Sequence, residues 1–340
     1  MCGNWRSMWR WWRTSKTSAR RRRRAAHSVK SIRMRTEGPI VKSIRDWVFR
    51  ELPVDPSDTT MTTYLDSKTT HSLLVIYHNW SCRLVSAQPR TVHLSSFVAD
   101  KLTDIRFSKA LASIILDTQA GYPLTKYLSR GVKEAVSPPR KDKPVSRRRD
   151  LDLMLNSWGI HHLHLSTEVE PDGFVSRDDP LLFAIFKEHD AYLLDIGDHG
   201  SWTSRRLLEI LVQEFPNSGA FHVFNGVSGL SENHDDNSLE TLRKKRVNSA
   251  SWIYGKAIIP NAGITLAGTT IAATRDSDML LEAVENFEQT WAQNPAQIKD
   301  MVWSAQKFFP EDPEFIFECH ETAGVGIYET KSKTFFSLAP

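Results

Sequence analysis

Apolar residues recur along the chain with two different periods, and the change of period divides it. Ile40, Val41, Ile44, Trp47, Val48 and Leu52 recur at helical spacing and predict a helix that Pro53 stops. A connection rich in Pro, Ser, Asp and Thr follows over 53–63. Leu73, Leu74, Ile76, Tyr77, Trp80 and Leu84 suggest a second helix, with a strand as the alternative because the run holds β-branched and aromatic residues. Leu111, Ile114 and Ile115 place a third helix over 107–117, closed by Gly121 and Pro123. Residues 124–132 would complete a helical hairpin.

The period then shortens. Three runs read as strands: W-G-I-H-H-L-H-L (158–165), L-L-F-A-I-F (181–186) and A-Y-L-L-D-I-G-D-H (191–199), with an acidic turn between the second and third. Thr203 is a good N-cap for a helix through Phe215, whose apolar face is Leu207, Leu208, Leu211 and Phe215 and which Pro216 ends. A polar stretch, 231–238, reads as loop. Beyond it, 251–259 and 264–274 look like two strands joined by Pro260-Asn261-Ala262-Gly263. A helix over 277–293 follows, and 315–319, 326–330 and 334–338 resemble a small meander. The expected class is α+β. It comprises a helical N-terminal part (39–100), a central domain of antiparallel sheet and helices (101–216) and a C-terminal α+β unit (217–340).

Charge changes this picture at one end. The net charge is +4, but residues 1–36 hold 12 Lys or Arg and no acid, leaving 32 basic against 40 acidic residues in the remainder, or −8. The folded part is therefore acidic. The tail to residue 38, M-C-G-N-W-R-S-M-W-R-W-W-R and then Arg20 to Arg24, has three readings: an Arg/Trp surface for nucleic acid or membrane, an organellar transit peptide, or a solvated extension. The Pro-broken basic run 136–149 is either a solvated connector or an RNA-facing loop. No window approaches the ~18 apolar residues that would span a bilayer. Three widely spaced cysteines without a CxxC pattern fit a reducing cytoplasm. There is no P-loop, GxGxxG or internal repeat.

The chemistry concentrates on the first strand. Alternation puts His162 and His164 on one face and His161, Leu163 and Leu165 on the other. Along the third strand Asp195 and His199 share a side, so His162, His164, Asp195 and His199 converge if that side meets the two histidines. Such a set suits metal-free RNA cleavage: histidine titrates near neutral pH and can move both protons. His162 or His164 would be the general base, His199 the general acid and Asp195 the orienting carboxylate. Arg177, Arg205 and Arg206 would hold the phosphate. The rival is a metal-dependent phosphoesterase or hydrolase using His162-x-His164 with Asp195 or His199. A noncatalytic RNA- or protein-binding module, in which the histidines are satisfied structural groups, is the third reading.

The order of helical hairpin, polar strand, L-L-F-A-I-F, the turn K-E-H-D and A-Y-L-L-D-I-G-D-H resembles the RelE/ParE superfamily of toxin-like proteins, over about 100–216 only. The resemblance implies a cytoplasmic, toxin-like endoribonuclease without a cofactor, acting on RNA, ribosome-associated or free, with a neutralising antitoxin partner. The chain departs from that pattern in carrying histidines where the family more often has Lys or Arg, and in its large flanking regions.

Overall fold

The computed structural model describes residues 37–138, 150–177, 180–303, 309–320 and 324–338. All but the last two residues of the basic tail, and most of the 136–149 run, lie outside the described residues.

Helix α1 (Pro39–Glu51) buries Ile40, Val41, Ile44, Trp47 and Val48, the face set by the helical period. Helix α2 (Thr59–Asp66) is capped by Asp58, whose side chain accepts from the Met61 N–H. The ambiguous run after it is helical, α3 (Thr70–Ser81). Strand β1 (Thr91–Leu94) and the single turn α4 (Ser96–Ala99) follow. Helix α5 (Ser108–Ala120) stops at Gly121, which at φ +80° takes the left-handed conformation of a helix end. The expected second arm of a hairpin over 124–132 is instead two 3-10 turns, Thr125–Tyr127 and Arg130–Lys133. Ser129 Oγ accepts from the Gly131 N–H, a local bond that competes with continuing helix.

Helix α6 (Leu153–Trp158), β2 (His161–His164), β3 (Leu181–Phe186) and β4 (Asp190–Gly197) come next. A 3-10 turn (His199–Thr203) then leads into α7 (Arg206–Glu214), so Thr203 closes a turn rather than capping the helix. Strand β5 (Phe221–Phe224) precedes α8 (Asp236–Lys244), a helix hidden from the hydrophobic pattern by its polar start; Asp235 caps it through the Ser238 N–H. The single strand expected over 251–259 folds back on itself as β6 (Ser251–Ile253) and β7 (Lys256–Pro260). Tyr254 and Gly255, at φ 47° and 73°, make the tight turn between them. The strand expected over 264–274 reduces to one bridge, Ile264 to Thr270. Thr270 Oγ1 accepts from the Ala272 N–H and starts α9 (Ile271–Gln293) six residues earlier than the pattern predicted. Helix α10 (Pro295–Trp303) and the meander β8 (Phe315–His320), β9 (Gly324–Glu329) and β10 (Thr334–Ser337) complete the chain. The class is α+β.

The chain forms two compact units. In the one comprising α1, Thr69–Leu73 and the residues from Asp278 onward, α1 packs on the meander, ordered β10-β9-β8. Trp47 meets Phe317 edge-on with ring centroids 5.1 Å apart, and the Phe317 N–H donates to Ser43 Oγ at 2.7 Å.

The other unit, Leu52–Lys68 with Leu74–Ser277, holds the histidine strand. Its sheet has the order β1-β4-β3-β2, antiparallel except that β1 runs parallel to β4. That fourth strand was not visible in the hydrophobic pattern. Leu163, Leu165, Leu182, Ala184, Phe186, Ala191 and Leu193 face one core, shared with Ala110, Leu111 and Ile114 of α5. Ile160, Leu181, Phe183, Ile185 and Leu194 face another, shared with α6, α7 and the small sheet β5-β7-β6. The sheet is thus covered on both sides, which is why β3 reads as an unbroken apolar run.

Candidate functional site: a histidine cluster beneath Trp202

His162 and His164 point to the second of these faces, as alternation predicts, while His161 faces the first and meets the Phe186 ring edge-on at 5.5 Å. All four residues of β2 are buried; His162 is 7% exposed and His164 1%. The 3-10 turn after β4 folds over them. The His162 ring lies against the Trp202 ring at 4.9 Å, and His164 lies 6.0 Å from His199 and 6.3 Å from His162. His199 is exposed and is 5.8 Å from Trp202. Three of the four expected residues, His162, His164 and His199, thus lie in one cluster against Trp202, but only His199 is open to solvent.

The turn that presents His199 and Trp202 is locally specified. Asp198 accepts from the Gly200 N–H at 2.8 Å and bonds Ser201 reciprocally, a capping box. These bonds hold the Asp198 carboxyl below its ordinary range, the Ser201 hydroxyl first among them. Glycine at 197 leaves room for the turn: a Cβ there would come within 2.6 Å of Ser201 Oγ.

Asp195 does not complete the cluster. A bulge in β4 pairs Ala184 with Leu193 but Phe183 with Asp195, so one extra residue moves Asp195 to the histidine face. Phe183 stands between it and His162 in the same row of the sheet, two strand spacings or roughly 10 Å across. Asp195 pairs instead with Arg206 Nε at 3.0 Å, and burial nevertheless raises its carboxyl above the ordinary value against that cation.

The carboxylate beside the histidines is Asp152, at 3.3 Å from His162 Nδ1. It also caps α6, accepting from the Leu155 N–H at 2.9 Å. Burial pushes the Asp152 carboxyl up, but the charge and hydrogen bond of His162, the Leu155 N–H and the charge of His161 together hold it below 3.8. Sequence reasoning missed this residue. Its signal was the position of an Asp directly before the run L-M-L, an N-cap signature two residues ahead of buried apolar positions.

The three arginines separate. Arg177 is exposed in the β2–β3 loop, two residues beyond Val175, which packs in the core on the opposite face from His162. Arg205 is held structurally: its backbone N–H donates to Asp236 at 2.7 Å, Nε to Glu209 at 3.1 Å and Nη2 to the Trp252 carbonyl. Only Arg206 is both exposed and near a predicted site residue, and it lies over the Phe97 ring at 4.1 Å. A buried cation that the sequence did not flag, Arg243 of α8, joins the cluster from behind. Its Nη1 donates to the Trp202 carbonyl and its Nε to Ser157 Oγ at 3.1 Å.

Among the described residues no three His, Cys, Asp or Glu side chains stand close enough to hold a metal ion. No described helix is long and apolar enough to cross a membrane. No family model matches the chain, and no curated protein or solved structure matches it at a significant level.

Proposed function

We propose that the cluster is a metal-independent acid–base site that cleaves RNA. The observation that carries it is the meeting of two imidazoles, His164 from β2 and His199 from the turn after β4, with His199 open to solvent. In this reading His199 is the group that touches substrate and exchanges the proton of the leaving oxygen. It first takes the proton of the attacking 2′-hydroxyl and then returns that proton to the leaving 5′-oxygen; buried His164 lies behind it and supports its ring, and Asp152 orients His162, the role first expected of Asp195. Arg206 is the phosphate contact, since the guanidinium of Arg205 is committed to Glu209 and to carbonyls. RNA as the substrate rests on the resemblance to RelE/ParE proteins and on the basic runs 1–38 and 136–149, because the remainder of the chain is acidic.

A specific observation favours a second reading, a noncatalytic RNA-binding module: the inner rings of His162 and His164 are buried, that of His162 against Trp202, as structural histidines are. One experiment separates the two. Full-length protein is incubated with total RNA in EDTA, alongside His199→Ala. The proposal expects cleavage that resists EDTA and falls ~10²- to 10⁴-fold in the variant. Cleavage that persists in His199→Ala, or RNA bound by the wild type but left intact, sinks the catalytic reading.

A further inference from the structure

The small sheet β5-β7-β6 has two edges, and the fold treats them differently. On β6 the outward backbone groups belong to Trp252, and both are occupied: its N–H donates to Asn233 Oδ1 at 3.1 Å and its carbonyl accepts from Arg205 Nη2. Side chains thus close that edge to another strand. On β5 the ladder runs the other way. The Asn261 N–H donates to the Ala220 carbonyl at 2.8 Å, in line with the pairs His222–Ile259 and Phe224–Ala257, so the even-numbered residues of β5 bond to β7. The N–H and C=O groups of Phe221 and Val223 therefore point away from the sheet, and no described residue bonds to them.

Soluble proteins block a free edge with a charge, a proline, a bulge or a covering segment. Strand β5 has none of these. Its register with β7 is regular, it holds no proline, and His222 and Phe224 on its outer face are exposed. Residues 215–231 contain no Lys, Arg, Asp or Glu, in a chain of which 25% is charged. The edge is also complementary to itself. Two copies set antiparallel about a two-fold axis at His222 place Phe221 opposite Val223 of the partner subunit, and every outward N–H and C=O of both strands is then used. An uncharged edge meets its own copy without the like-charge repulsion that a charged strand would bring. We infer that β5 is a dimerisation edge: a second copy of this chain adds to it antiparallel and joins the two small sheets into one. This inference is independent of the reading of His199, because it rests on β5 alone.

The test follows full-length protein by sedimentation velocity from about 1 µM to about 100 µM, the range in which a small interface associates. A reversible monomer–dimer equilibrium is expected. Val223→Pro deletes the outward N–H and leaves the ladder to β7 whole, the position at which an edge strand tolerates proline. Association should weaken about five- to a hundredfold, because each copy loses one backbone bond to the other. Val223 also packs against the core, so that variant could fail to fold; the exposed His222, which the two-fold axis sets opposite its own copy, then decides. His222→Lys and His222→Glu should each weaken self-association about threefold or more, and the two mixed should associate more tightly than either alone, since opposite charges then face each other across the axis. A wild type that stays monomeric throughout, which would leave the edge to an extended segment of another protein, overturns the inference. So does a mixture of the two His222 variants that associates no better than each by itself.

Discussion

The two faces of the central sheet are built from the same strands yet obey different rules. On one, Leu163 and Leu165 join Leu182, Ala184, Ala191 and Leu193 in a core without a polar side chain from β2 except His161. On the other, the alternate positions of β2 are His162 and His164, and Asp152, Trp202 and Arg243 gather around them. Burial is equally deep on both. What differs is whether the buried group needs a partner, and a polar group in a core position is the more informative of the two.

The comparison can be broken at several points. Leu182→Ala on the apolar face should cost about 2–5 kcal/mol of stability, read by urea unfolding, and should leave the RNA cleavage proposed for His199 in place. A loss of activity without loss of stability would mean that the faces are not separable. His78 of α3 offers a buried histidine away from the sheet. Burial lowers it from 6.5 to about 4 against the opposing charge of Asp276. The unfolded chain therefore binds a proton that the native state refuses. Stability is full above pH 6.5 and falls by about 3 kcal/mol as the pH drops to 4. Unfolding midpoints across that window in wild type and His78→Gln check this; identical slopes would contradict it.

Asp152→Asn keeps an N-capping side chain but removes the charge beside His162. It should cost about 1–3 kcal/mol at neutral pH. Because the folded carboxyl lies below 3.8, its contribution is present above that value and is lost as pH falls through the folded one. The variant should lack that part of the acid dependence. Arg206→Ala, by contrast, removes a half-exposed pair with Asp195 and should change stability by less than about 1 kcal/mol. A larger loss would show that Asp195 has a place in the core which its raised carboxyl already hints at.

Much of this architecture was legible in advance. The helices α1, α5 and α9, the three strands β2, β3 and β4 and the C-terminal meander follow from apolar periods of 3.6 and 2 that each segment carries alone. The facing of His162 and His164 follows from the same alternation. Less regular pieces escaped: β1, a four-residue edge strand; α8, with its polar start; and the fold-back of β6 and β7 at Tyr254–Gly255. Each is too short or too polar for its period to register.

Sequence alone thus determined which residues share a side of a regular element, His162 with His164 for example, because that depends only on regular backbone geometry within the element; the bulge in β4 broke that rule for Asp195. Only the tertiary structure decided which of them meet. A single bulge put Asp195 on the histidine face but a row too far away, and the fold of α6 supplied Asp152 in its place. Packing of α8 brought Arg243 to Trp202 from more than forty residues away along the chain. Contacts between elements depend on register and docking, and neither is written in any one segment.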